Sequence, residues 1–214
     1  GSVGYHRGGA HICAEVRLFA AQISVENVFR LNDAQHLLGG AVIDGHPRVH
    51  AADDQFADRL RIIGITVEPN GDGCTVVGCE SFHPADITTQ PYPGFPTDLQ
   101  AQFMALLSLA HGNSVVVEKI FPDRFLHVAE LNRMAANLRK EGSAVIVAGV
   151  KKLIAAPVMA SDLRASAALV VAALAAEGTT TINRVYHIDR GYERIEERFN
   201  AIGAKIRREE GGTV

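Results

Sequence analysis

Tryptophan is absent from this 214-residue chain, and cysteine occurs only three times. An odd, sparse cysteine set is no disulfide framework, so the expected setting is a reducing cytoplasm. Lysine is also scarce: five residues, none before Lys119, against sixteen arginines spread throughout. No lysine chemistry can therefore reside in the first half. No apolar run approaches the eighteen or so residues of a membrane span, and the longest, Ala165–Ala176, is mostly alanine. Charge of either sign is not in excess: 21 Lys+Arg against 24 Asp+Glu leaves −3, which argues against a nucleic-acid binder acting through net charge. Nucleotide-phosphate loops are missing too, since no Gly-x-Gly-x-x-Gly follows a strand and no Gly-Lys-Ser/Thr occurs.

What is present is an ordinary globular composition, 47% hydrophobic and 21% charged, long enough to bury a core without covalent staples. Gly1-Ser2 reads as a tag remnant and is set aside. The remainder, 3–208, reads as a single domain built on an internal repeat. Thr97-Asp98-Leu99-Gln100-Ala101 opens a helical stretch ending at Gly112, and Ser161-Asp162-Leu163-Arg164-Ala165 opens another ending at Gly178. In each, Ser or Thr stands at the N-cap position, Asp follows in the first turn and Gly closes the helix.

Each glycine is followed by a β-branched run, Ser114–Ile120 and Thr179–Val185, and then by an Asp-Arg loop, Asp123-Arg124 and Asp189-Arg190. Second helices are predicted near Val128–Ala135 and Arg194–Ile202. The first copy closes with a hairpin, Asn137–Lys140 and Ala144–Val147, and the second with a strand at Lys205–Arg208. A fainter copy lies upstream: a first helix near Glu15–Ser24, a second at Gln55–Ile63, then strands Ile65–Glu68 and Cys74–Val77 across an Asn-Gly-Asp-Gly turn. Asn32–Arg48 breaks the register and reads as an irregular insertion. The expected fold is thus α/β, three repeated helix–strand–helix–hairpin units at about 10–84, 85–155 and 156–208.

Several residues invite chemistry. An acid in a first helical turn, such as Asp98, ordinarily caps the helix or complements its dipole. Behind the loop of Pro91, Pro93, Gly94 and Pro96 it also suits a general base near a bound anion, and that loop reads equally as a stiff connector or as a device presenting the helix end. Arg124, Arg164 and Arg190 occupy comparable elements of two copies. Convergent guanidiniums suit bidentate recognition of carboxylate or phosphate; the plainer alternative is surface ion pairs with Asp123, Asp162 and Asp189. His46 and His50 stand four apart, but Pro47 disfavours a helix and no third ligand is near. Cys13, Cys74 and Cys79 lack metal spacing. No metal and no cofactor is expected.

Four strings together resemble the UDP-N-acetylglucosamine enolpyruvyl transferases. They are Pro93-Gly94-Phe95-Pro96-Thr97-Asp98-Leu99-Gln100-Ala101-Gln102, Arg124-Phe125-Leu126-His127-Val128-Ala129-Glu130-Leu131, the run Ala156–Ser166, and Tyr186-His187-Ile188-Asp189-Arg190-Gly191-Tyr192-Glu193. They cover roughly residues 85–208 and fade upstream. The shikimate-pathway enolpyruvyl transferases share that fold but are not expected to carry these strings.

The resemblance implies one domain, the C-terminal-side one, of a two-domain enzyme that binds its substrates between domains. The implied reaction moves the enolpyruvyl group of phosphoenolpyruvate to the 3-hydroxyl of UDP-N-acetylglucosamine, through a tetrahedral adduct, in peptidoglycan synthesis. By resemblance Asp98 deprotonates the sugar hydroxyl, and Arg164 and Arg190 hold phosphoenolpyruvate with Arg124 in the same pocket. The backbone of Ile120 meets the nucleotide sugar, and Asp162 lies beside the site. The family's Lys-Asn-Ala-Ala-like stretch and its Gly-rich cysteine loop are not in this sequence, so half an active site is expected here, inactive alone and completed by a partner domain or a homo-oligomer. The alternative is a non-catalytic relative that binds a nucleotide sugar or a protein.

Overall fold

Helix boundaries in this chain are decided by residues that leave the right-handed region. The computed structural model describes residues 51–70, 73–201 and 203–209. Helix α1 covers Ala51–Ile62, and strands β1 (Thr66–Asn70) and β2 (Gly73–Val77) pair antiparallel from Thr66–Val77 to Asn70–Gly73. A 3-10 turn, Thr97–Leu99, leads into α2, Gln100–Leu107. Helix α3 runs Leu126–Arg133, α4 Leu163–Ala175, α5 Tyr186–Asp189 and α6 Ile195–Ala201.

Several of these differ from the sequence expectation at their ends: α1 begins at Ala51 rather than Gln55, and α2 ends at Leu107 rather than near Gly112. Helix α3 stops before Ala135 because that residue is left-handed, with φ 63°, and α6 begins after Arg194 for the same reason, φ 47°. The expected first helix near Glu15–Ser24, the insertion Asn32–Arg48, His46, His50 and Cys13 lie outside the described residues.

The middle of the chain forms a four-stranded sheet in the order β3 (Ile87–Thr88), β4 (Asn113–Val117), β6 (Ala144–Ala148), β5 (Asn137–Glu141). Strands β3 and β4 are parallel; β6 is antiparallel to both its neighbours. The β5–β6 hairpin turns through Gly142 at φ 59°, a conformation that costs glycine little. Val116, Val145 and Val147 face the core, as the period of two requires. Two shorter parallel pairs complete the sheets: β7 (Leu153–Ile154) with β9 (Ala176–Glu177), and β8 (Pro157–Met159) with β10 (Thr181–Asn183).

Helices α2 and α4 form the most extensive contact between any two elements. Every residue of α2 is buried, and so are Ala165 to Ala172 of α4. The alanine-rich run therefore packs inside. Small side chains let α4 lie close to α2 without forcing neighbouring rotamers. Beyond them Phe103 meets the edges of both Phe56 and Phe95, with ring centres 5.9 and 5.5 Å apart.

The same helix ending occurs three times. The amide five residues after Leu60, Leu131 and Phe199 donates to that residue's carbonyl, at 2.9, 3.2 and 3.0 Å. The left-handed residue between them is Gly64, Ala135 or Gly203. This double-bonded C-terminal turn satisfies carbonyls that the helix cannot. Asn132 then holds the backbone N–H and C=O of Leu138, and Asn200 holds those of Ile206 in the same way. In the upstream copy Arg61 instead donates to the Val67 carbonyl. The expected final strand at Lys205–Arg208 does not form. Among the described residues no strand pairs with it; the Asn200 amide holds Ile206 just as Asn132 holds Leu138 of β5, so what differs is the neighbouring strand.

Removing the Asn132 amide strands two backbone groups of Leu138, so Asn132→Ala should lower unfolding free energy by about 1–3 kcal/mol. Ala135→Gly should be neutral or raise it by up to about 1 kcal/mol, because glycine tolerates the left-handed region. Urea unfolding of both variants measures this; equal losses would contradict the assignment.

Candidate functional site

The buried α2–α4 pair sets two helix starts side by side, and the site grows from them. Asp98, in the turn before α2, caps nothing. Its Oδ1 accepts Nη1 of Arg124 at 3.1 Å and Nε of Arg164 at 2.8 Å. Both bonds fall on one oxygen, which leaves Oδ2 without a protein partner among the described residues. At 37% side-chain exposure the carboxylate is open to solvent on one side. The expected cap at Thr97 is absent as well, because its hydroxyl is engaged elsewhere.

The second helix start works differently. Asp162, not Ser161, caps α4: its Oδ1 accepts the backbone N–H of Arg164 at 2.8 Å and of Ala165 at 2.9 Å. That cap fixes the direction in which Arg164 leaves the helix. Burial pulls the Arg164 guanidinium down, but the Asp98 hydrogen bond and the charges of Asp98, Asp162 and Tyr192 outweigh it, so its pKa is raised.

Arg124 is held from three sides. Besides Asp98, its Nη1 donates to Thr97 Oγ1 at 3.1 Å, and its guanidinium lies 3.9 Å from the centre of the half-exposed Phe121 ring. The ion pairs that the sequence left as an alternative are made with other partners. Asp123 lies 3.5 Å from Lys140, and Asp189 takes Arg208. Arg208 also takes Glu196; these two acids raise its pKa, and it lowers that of Glu196.

Arg190 is exposed and has no ion pair among the described residues. The turn that carries it is nonetheless docked at the site. A Cβ on Gly191 would fall 2.7 Å from Leu163 Cδ2, so this turn lies against the first residue of α4. Tyr192 follows, mostly buried, near Gln102 of α2. Burial raises its pKa, against the opposing effects of Gln102 and the charge of Arg164.

Glu118 went unnoticed in the sequence. It is fully buried at the end of β4 and accepts four donors: the hydroxyls of Thr89 (2.7 Å) and Thr97 (2.9 Å), and the backbone N–H of Ile120 (2.8 Å) and Phe121 (3.0 Å). Ile120 therefore enters the site through a backbone whose N–H is already committed. The usable signal was an acid interrupting the apolar run Ser114–Ile120, where a solvent-facing side chain needs no partner and a core-facing one does.

Among the described residues no group of three His, Cys, Asp or Glu side chains is placed to hold a metal, and no helix is long and apolar enough to cross a membrane.

The arrangement of Asp98 with two arginines at the ends of paired inner helices invites comparison with known proteins. The family model of EPSP synthase (3-phosphoshikimate 1-carboxyvinyltransferase) matches residues 12–199. The chain belongs to the EPSP synthase family. The match extends the family likeness well upstream of residue 85. The UDP-N-acetylglucosamine 1-carboxyvinyltransferase of Desulfosudis oleivorans is 56% identical over 151 residues, covering 71% of this chain and 36% of that protein. Its counterpart in Bdellovibrio bacteriovorus is 43% identical over 203 residues, 87% of this chain and 49% of its own length. The enolpyruvyl transferase NikO from Streptomyces tendae superposes with a TM-score of 0.67 at 28% identity, over 72% of this chain and 36% of that one. The chain thus has the α/β fold of enolpyruvyl transferases and spans about a third to a half of the length of these EPSP synthase family relatives.

His127 provides a check on how firmly α3 backs the site. It is 1% exposed, and burial lowers its pKa to about 4 against a smaller opposing effect of Asp162. The unfolded chain, with an ordinary histidine near 6.5, binds the proton first. Stability is therefore full above about pH 6.5 and falls as pH drops towards 4, by on the order of 3 kcal/mol. In His127→Gln this part of the pH dependence of urea unfolding should vanish; an unchanged profile would show that His127 titrates normally.

Proposed function

We propose that this chain supplies the aspartate–arginine half of a site that transfers the enolpyruvyl group of phosphoenolpyruvate to the 3-hydroxyl of UDP-N-acetylglucosamine. The observation that carries this reading is the single carboxylate oxygen of Asp98 shared by Arg124 and Arg164. The names of the relatives support the choice of substrates.

In this reading Asp98 accepts the proton of the sugar 3-hydroxyl through its open oxygen as that hydroxyl bonds to C2 of phosphoenolpyruvate. The methylene carbon takes a proton from an acid outside the described residues, which gives the tetrahedral adduct. Loss of a methyl proton and departure of phosphate then restore the double bond in the product. Arg164, Arg190 and Arg124 grip the carboxylate and phosphate, whose charge suits planar, bidentate donors. The Ile120 backbone and Asp162 border the sugar nucleotide. The setting is peptidoglycan synthesis in the cytoplasm. Closure over the substrates falls to a second domain or another copy of the chain.

The reading of the chain as three α/β units also belongs here. The helix ending repeated at Leu60, Leu131 and Phe199 supports units at about 10–84, 85–155 and 156–208.

Without closure the contacts are few, so phosphoenolpyruvate should bind this chain weakly, with Kd on the order of 0.1–1 mM or poorer. Exposed charges carry the interaction, and added salt should weaken it. Titration calorimetry should find the response diminished by Arg164→Ala and by Arg190→Ala. Arg139→Ala, whose guanidinium pairs with Glu141 on the exposed hairpin, should leave it intact. Identical behaviour of all three variants, or no localised response to millimolar ligand, would favour a non-catalytic relative.

A further inference from the structure

Glu118 meets no solvent and lies behind the residues just described, yet the hydroxyl it binds is the one that holds Arg124. A threonine hydroxyl has one proton to give. Thr97 gives that proton to Glu118 Oε2 and is left as a pure acceptor, which is the state that Nη1 of Arg124 requires. Thr89 is polarised in the same sense: it donates to Glu118 Oε1 and accepts from the backbone N–H of Lys119 at 2.9 Å. The remaining two donors, the N–H groups of Ile120 and Phe121, fix the peptide planes that set the Phe121 ring beneath Arg124.

Both sides of the Arg124 clamp therefore trace to one buried carboxylate. The hydroxyl above is oriented by Oε2, and the loop below is held by Oε1. The order Glu118, Thr97, Arg124, Asp98, Arg164 is continuous, with each link a hydrogen bond of 2.8–3.1 Å.

We propose that Glu118 is a positioning residue that fixes Thr97 as an acceptor and so holds Arg124 against Asp98. The role in substrate handling rests on the function proposed above; the role in ordering Arg124 does not. Glutamine in place of Glu118 keeps the volume but presents an NH2 group where only acceptors fit. At least one of the four donors then faces another donor, and Thr97 is no longer forced to accept.

The test uses the 15N-labelled full chain. A guanidinium held by Thr97 and Asp98 rotates slowly about its Cζ–Nη bonds and shows separate Nη–H signals, assigned to Arg124 by their loss in Arg124→Lys. In Glu118→Gln and in Thr97→Val these signals should collapse, while Nε–H of Arg164 keeps its shift and Thr97→Ser retains the wild-type pattern. Thr97→Val removes no buried charge, so it decides the matter should Glu118→Gln not fold. Phosphoenolpyruvate affinity should fall on the order of tenfold in both collapsing variants, the equivalent of one lost charge-assisted hydrogen bond. Collapse of the Arg124 signals in these variants, with no phosphoenolpyruvate response in the wild type, supports the positioning role and overturns the substrate reading alone. Survival of the slow Arg124 signals in Thr97→Val overturns the positioning role.

Discussion

A helix with no exposed side can tolerate only the neighbours that match it, and α2 and α4 are such helices for each other. Their mutual burial, Gln100–Leu107 against Ala165–Ala172, decides where both N-terminal ends emerge. Asp98 stands just before one of these helices and Arg164 is the second residue of the other. The ion pair between them is thus a consequence of core packing, made before any ligand arrives. An enlarged side chain at Ala167 or Ala168 would push the helices apart and separate the two charges without touching either.

The surrounding elements brace this pair. The Asp162 cap aims Arg164; the Gly191 turn lies on Leu163; Tyr192 reaches Gln102 from behind. Three chain segments far apart in sequence meet at one end of the inner helices, each docked through a backbone or buried contact. This is the kind of support that keeps functional side chains within a narrow range of geometry. Arg190 is the exception. Its turn is anchored while its guanidinium stays in solvent, with no ion pair among the described residues.

How much of this was legible beforehand depends on the range of the interaction. The β5–β6 hairpin and the α/β class follow from local pattern, and the hairpin was placed within a few residues. The caps were misassigned because Thr97 and Ser161 carry the right chemistry for capping, yet tertiary partners claimed Thr97 first and Asp162 took the second position. Glu118 stands out locally as an acid interrupting a β-branched run, but its partner Thr89 lies 29 residues away in sequence, so the run alone does not show which donors a buried carboxylate would meet. Lys205–Arg208 shows the opposite failure: a strand-like pattern without an edge to join.

The distribution of charge explains why an acid belongs among these arginines at all. Two guanidiniums placed side by side repel, and a pocket of arginine alone would splay or bind any passing anion. Asp98 offsets that repulsion on one oxygen and leaves the other unoccupied, so the cluster is held together yet not saturated. An incoming anion competes for Arg124 and Arg164 with a carboxylate that cannot leave, because the turn before α2 is fixed by the buried helix behind it. On the function proposed above, a bound dianion draws the arginine bonds from Asp98 onto itself. On that reading, the group that holds the two guanidiniums together is also the one that faces the ligand, through the oxygen neither arginine occupies.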